Sequence, residues 1–186
     1  MKLSKVKRVV LNHKSLCVAR ADTGIDVQTW IGCDMAMYPV HELVITPELA
    51  ARIWELTEKQ IRDLRITNEE NSNLSILIGR ADLEKLPMLA EAEQGEPNML
   101  ELCCIDDMVI LMNQRTGKAY YFDLDLLGPT EGRRQYFAED NSHVVGVYSD
   151  GVLEAAIYVG DWTETEILYS KIGKIASIWR NAVAED

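Results

Sequence analysis

The chain has 186 residues, enough for one domain of ordinary size, and 47% of them are hydrophobic, which excludes wholesale disorder. Thirty acids against 19 bases give a formal net charge of −11, a field that repels nucleic acid over most of a surface and suits basic partners. No run approaches the ~20 apolar residues that a membrane helix needs. The N-terminal stretch MKLSKVKRVVLNHKS lacks the apolar core and cleavage site of a signal peptide, so none is expected. With no export signal, Cys17, Cys33, Cys103 and Cys104 are expected as free thiols in a reducing cytoplasm.

In chain order, Lys5–Leu11 reads as a first strand carrying Val6, Val9, Val10 and Leu11. Ser15–Ala21 and Ile25–Gly32 read as a hairpin around Asp22-Thr23-Gly24, a short glycine-containing turn. In its second strand Ile25, Val27, Thr29 and Ile31 share one face, and Asp26, Gln28 and Trp30 share the other. Met35–Val40 reads as a further strand. The most strongly patterned element follows at Thr46–Arg65. Thr46 is a natural cap, Pro47 suits the first helical position, and Glu48 complements the positive end of the dipole. At about 100° per residue, Leu49, Ile53, Leu56, Ile61 and Leu64 form one stripe, with Ala50 and Trp54 at its edge.

The polar run 67–73 marks the expected boundary between an N-terminal β-rich subdomain, 1–70, and a C-terminal α+β subdomain, 71–186, within one globule. Leu74–Ile78 reads as a short strand and Ala81–Ala92 has helical composition interrupted by Pro87. Leu100–Ile105, Asp107–Asn113 and Lys118–Leu126 read as strands, with Gln114-Arg115-Thr116-Gly117 joining the last two and a loop at Gly128–Gly132. His143–Ser149 and Val152–Val159 form a hairpin turning at Asp150-Gly151. Thr163 and Glu166 make a capping box for a closing helix, 163–180, with Leu168, Ile172, Ile175 and Trp179 as its apolar stripe. The fold class expected is α+β: antiparallel hairpins and sheets with two main amphipathic helices, 46–65 and 163–180.

Residues 91–166 hold 16 acids and four bases, while the first eight residues carry Lys2, Lys5, Lys7 and Arg8. Catalytic motifs fail on context. Asp22-Thr23-Gly24 matches the aspartic-protease tripeptide, but Arg20 precedes it and Ile25 follows, where that signature has an apolar strand and a small residue. Cys103 and Cys104 adjoin in a strand and so point to opposite faces, and His13, His41 and His143 show no zinc spacing. Gly128–Gly132 lacks the lysine and the helix of a phosphate loop. Asp106-Asp107 with Asp123 and Asp125 would suit Mg²⁺, but Tyr120, Phe122, Leu124 and Leu126 account for the alternation as core, leaving Tyr121, Asp123 and Asp125 toward solvent. No catalytic residue, metal ligand or cofactor is therefore assigned. Trp30 and Trp54 depart from the polar logic of their elements. They pack inside the protein, or together mark a contact surface.

The segments Gln28-Thr29-Trp30-Ile31-Gly32, Tyr38-Pro39-Val40 and Ile45-Thr46-Pro47-Glu48 resemble the opening of small uncharacterised proteins carried by prophages of gut Firmicutes. The likeness covers the first third of the chain and implies a mobile-element context rather than a chemistry. The function expected first is a non-enzymatic, acidic protein-binding protein that blocks a basic, nucleic-acid-binding surface, as counter-defence proteins such as anti-CRISPRs do. Its contact residues would be Asp106, Asp107, Tyr121, Asp123, Asp125 and Trp30, its partner a nucleic-acid-handling protein, with no direct nucleic-acid or membrane binding. Two other readings stay open. One is a small-nucleotide-binding protein or small enzyme with a site assembled from distant residues, which a pocket lined by Asp123, Asp125 and Arg133 would favour. The other is a homo-oligomeric structural protein.

Overall fold

The computed structural model describes residues 3–22, 27–40, 45–71, 77–78, 81–82, 97–138 and 143–161. The expected closing helix 163–180 lies outside the described residues, as do most of Ala81–Ala92 and His41. The elements run α1 (Leu3–His13), β1 (Ser15–Asp22), β2 (Val27–Cys33), β3 (Ala36–Val40), α2 (Pro47–Ile53), α3 (Glu58–Asp63) and β4 (Arg65–Asn71). Then come β5 (Leu77–Ile78), β6 (Ala81–Asp82), β7 (Met99–Ile105), β8 (Met108–Asn113), β9 (Ala119–Asp123), a 3-10 turn at Leu124–Leu127, β10 (Arg134–Phe137), β11 (Val144–Ser149), β12 (Val152–Tyr158) and β13 (Gly160–Asp161). Helices set beside a mostly antiparallel sheet make this an α+β architecture. Among the described residues no helix is long and apolar enough to cross a membrane.

Among the described residues, eleven strands form one sheet in the order β13-β9-β8-β7-β10-β11-β12-β3-β2-β1-β4. All its pairings are antiparallel except β1 with β4. Strands of both halves of the chain thus share one sheet. The β11–β12 hairpin turns at Asp150 and Gly151, both at positive φ, as a two-residue turn of this kind requires. The β8–β9 connection closes on Asn113, whose side-chain oxygen accepts from the amides of Arg115 and Thr116.

The expected first strand is a helix. Val6, Val9 and Val10 recur at helical spacing and are fully buried, whereas strand alternation would have sent Val9 and Val10 to opposite faces. Around α1 the sheet gathers one cluster: Leu16 and Val18 of β1, Ile31 of β2, Tyr38 of β3, Val109 and Leu111 of β8, Tyr120 and Phe122 of β9, and Ile157 of β12. A second cluster, with Cys17, Ala19, Trp30, Met37, Val144, Tyr148, Leu153 and Ala156, occupies the other face of the middle strands.

Thr46–Arg65 is not one helix but two. Thr46 caps as expected, accepting from the Leu49 amide at 3.2 Å, with Pro47 first in α2. The helix stops at Trp54, Glu55 takes a φ of 51°, and Thr57 starts α3 with a capping box to Gln60. The expected stripe is broken accordingly. Trp54 and Ala50 are buried, Leu49, Leu56 and Leu64 are partly buried, and Ile53 is 47% exposed. The polar run expected as a boundary enters β4, whose residues Arg65–Asn71 pair in parallel with Ser15–Ala21.

Candidate functional site

The C-terminal end of α1 faces the β7–β8 turn and the coil that follows β9. Arg8 and Asn12, four residues apart, lie on one side of α1, and His13 follows at its end. Across from them, Asp106 and Asp107 form the two-residue turn between β7 and β8, both at positive φ, a region that aspartate tolerates better than most residues. The Asp107 carbonyl accepts from the Leu124 amide at 2.7 Å, which ties this turn to the end of β9. There the chain leaves the strand at Asp123 and coils through Leu124–Leu127. Tyr38 fixes that coil by donating its hydroxyl to the Leu126 carbonyl at 2.7 Å, and burial pushes the Tyr38 pKa well up. Its phenol therefore stays a donor.

Between α1 and these turns lies a cleft of about 630 Å³ lined by Arg8, Asn12, His13, Asp107, Asp123, Leu124, Asp125, Leu127, Gly128 and Arg134. Asp125 is its central acid. One carboxylate oxygen accepts from the Asn12 side-chain amide at 3.2 Å, and the other lies 3.4 Å from His13 Nε2. Ligand atoms of His13, Asp123 and Asp125 all lie within 4.8 Å of one another. Arg134 is pinned at the far wall: its Nε donates to Thr130 Oγ1 at 2.9 Å, and Thr130 in turn donates to the Leu127 carbonyl at 2.8 Å. Arg8 lies against Gly128, where an added Cβ would stand 2.9 Å from the guanidinium. A larger residue at 128 would displace that charge.

The contact residues expected from sequence divide. Asp107, Asp123 and Asp125 come together in the cleft, and Asp106 is exposed on the adjoining turn. Asp123 and Asp125 do not share a strand face, since β9 ends at Asp123. Tyr121 is half-buried on β9 and packs over Gly160, away from the cleft. Trp30 is not a surface residue: it is 1% exposed inside the second cluster, because β2 is covered on both faces. Trp54 is buried in the first cluster, so the two tryptophans share neither a surface nor a neighbourhood.

Sequence reasoning missed Arg8, Asn12 and His13 because it placed them on or after a strand; read as a helix, the same residues fall at one end of one face. It favoured Arg133, but Arg134 is the arginine in the cleft. His13, treated as one of three scattered histidines, joins two carboxylates, a convergence that only the fold creates.

The thiols stand apart from this site. All four cysteines are unpaired, Cys103 half-buried and Cys104 exposed on opposite faces of β7. Burial raises the Cys17 pKa and pushes Cys33 up to about 12, so neither supplies a thiolate near neutrality. Comparison with known proteins finds no matching family model, no matching curated sequence and no matching solved structure.

Proposed function

We propose that this protein binds a small phosphate-bearing molecule of nucleotide type in the cleft between α1 and the end of β9. The observation that carries this reading is the meeting of Arg8 and Arg134 with His13, Asp107, Asp123 and Asp125 in one cavity. Guanidinium groups present forked donors that suit phosphate oxygens. Leu124, 38% exposed, adds apolar surface for the rest of such a ligand. Three carboxylates beside two guanidiniums disfavour a bare anion, so the ligand is a phosphate that binds together with a cation.

Equilibrium dialysis against nucleotides and sugar phosphates, alone and with Mg²⁺ or Zn²⁺, tests the reading. Saturable binding of one ligand per chain is expected. Arg8→Ala should weaken it by about 1.5–3 kcal/mol, roughly ten- to a hundredfold, through loss of a charged hydrogen bond. Arg8 is exposed, so the variant should fold normally. Absence of saturable binding across the panel, or unchanged binding by Arg8→Ala, would overturn it.

A second reading rests on the rim of the same cleft, where Asp106, Asp107 and Asp123 are exposed near one another. In the prophage context that the resemblance implies, this acidic rim docks on a basic surface of a nucleic-acid-handling protein and acts in counter-defence. Such docking weakens steeply with salt, since charges screen over about 8 Å at physiological ionic strength. Reversal of Asp107 and Asp123 to Lys should slow association with that partner; salt-insensitive association would exclude this mode.

A further inference from the structure

We propose that His13, Asp123 and Asp125 form a binding site for a first-row divalent cation, with Zn²⁺ the best match. This deepens the phosphate-cleft reading by supplying the cation from the protein, although the metal site itself does not require the anion.

The spacing of the groups carries the argument. His13 Nε2 and Asp125 Oδ1 are 3.4 Å apart. A charge-assisted N–H···O⁻ hydrogen bond settles at about 2.7–2.9 Å, so this pair is too open for a strong one. Zinc bonds of about 2.0–2.1 Å to nitrogen and oxygen set tetrahedral ligand–ligand edges of about 3.3–3.4 Å. The pair stands at the separation of two ligands on one metal. Asp123 offers the third ligand within 4.8 Å of both, and being exposed it has room to close the remaining distance.

The surroundings fit the same role. Asn12 donates to the outer oxygen of Asp125, leaving the inner oxygen for the imidazole side, the usual way a coordinating carboxylate is oriented. His13 and Asp125 are held by different elements, the end of α1 and the coil that Tyr38 anchors. One imidazole with two carboxylates is a borderline donor set that suits Zn²⁺ better than Mg²⁺ or Ca²⁺. Three protein ligands leave a fourth position open, and here it opens on the cleft that Arg8 and Arg134 line. A phosphate oxygen would complete the coordination there while the guanidiniums offset its remaining charge.

Zn²⁺ titration by calorimetry, on the whole 186-residue chain carrying Cys103→Ser and Cys104→Ser so that the thiols of β7 do not compete, tests the site. One Zn²⁺ per chain is expected. His13→Gln, Asp123→Asn and Asp125→Asn should each weaken it at least about tenfold. Should Asp125→Asn disturb folding, Asp123→Asn still decides, because its carboxylate is exposed. Failure to bind Zn²⁺, or undiminished binding by Asp123→Asn and His13→Gln, would overturn the proposal. Arg8→Ala is expected to retain Zn²⁺ while binding phosphate roughly ten- to a hundredfold more weakly. Zn²⁺ binding without any phosphate ligand would leave the metal site standing and remove only the anion reading.

Discussion

Strand β7 is the more apolar of β7 and β11, yet it is β11 that is buried. Every residue of β11, Val144–Ser149, is buried, while in β7 Leu100, Glu101, Leu102 and Cys104 are exposed. The difference lies in what lies beside each strand. β11 is paired with β12 along its whole length and with β10 over Gly146–Ser149, and lies within the two-sided core, whereas β7 is paired with β8 except at a bulge at Leu102 and, among the described residues, meets β10 at Met99–Tyr136 alone. Apolar sequence therefore reports the capacity of a strand to be buried, and position in the sheet decides whether it is. Strands β1, β2, β3 and β12 side with β11, since their residues alternate between the two clusters.

The largest expected effect comes from emptying the two-sided region. Trp30→Ala should cost about 3–5 kcal/mol from lost transfer energy plus the cavity. Leu102→Ala on β7, at 47% exposure, serves as its counterpart. Equal losses in urea midpoint for the two variants would break the contrast.

A second test uses the thiols and pH. Cys33 on β2 is pushed from 9.0 up to about 12 by burial. Above pH 9 the unfolded chain releases this proton and the folded one keeps it. The stabilisation is therefore complete below pH 9 and is lost as pH rises toward 12, at about 1.4 kcal/mol per pH unit for one such thiol. Denaturation midpoints at pH 8 and 10 should fall more steeply for wild type than for Cys33→Ala. Cys17 is raised in the same direction and adds to the slope. In the folded protein at pH 8, Cys104 should react with a thiol reagent while Cys17 and Cys33 do not.

An intermediate effect is expected where the two-sided region meets the cleft. Tyr38→Phe should cost about 1 kcal/mol by leaving the Leu126 carbonyl without its donor. It should also loosen Asp125 and weaken ligand binding. The smallest effects belong to the exposed apolar residues. Leu102→Ala and Ile53→Ala should each cost under about 1 kcal/mol, a loss that thermal denaturation resolves. For Ile53 this replaces the core role expected from an unbroken helix.

What was legible in the sequence was local and strongly marked. The Asp150-Gly151 hairpin, the Thr46-Pro47 helix start, the Asn113–Lys118 connection and the opposite faces of Cys103 and Cys104 follow from turn chemistry, capping and alternation. The break at Trp54–Thr57 was also written there: Thr57-Glu58-Lys59-Gln60 is a capping box, but the stripe on either side masked a second helix start. Residues 5–11 were misread because four clustered apolar residues fit either period; the i, i+3, i+4 spacing of Val6, Val9 and Val10 was the discriminating signal. β4 was unreadable in principle, as Thr67-Asn68-Glu69-Glu70-Asn71 has turn composition and becomes a strand through its pairing with β1. The acids of the cleft were named from sequence. Its arginines and histidine were not, because no spacing in the chain links residue 8 or 13 to residue 125.

Among the described residues, β7 and β10 meet in one ladder pair, Met99 with Tyr136, beside which Asn98 and Ala138 exchange two hydrogen bonds and Tyr136 donates to Glu101. On the far side of this pairing stand β7, β8, β9 and β13, which carry Asp107, Asp123 and Asp125; on its near side stand α1 and β10, which carry Arg8, His13 and Arg134. The two walls of the cleft therefore belong to different blocks of the sheet. The apolar cluster around α1 still spans both blocks, so the local effect is the one expected: backbone amides beside this short pairing should exchange with solvent before those of β11. Whatever bridges both walls acts as a clasp across the pairing, and its occupancy would be read as slowed exchange in β7 and β10 rather than as a rise in the global melting temperature alone.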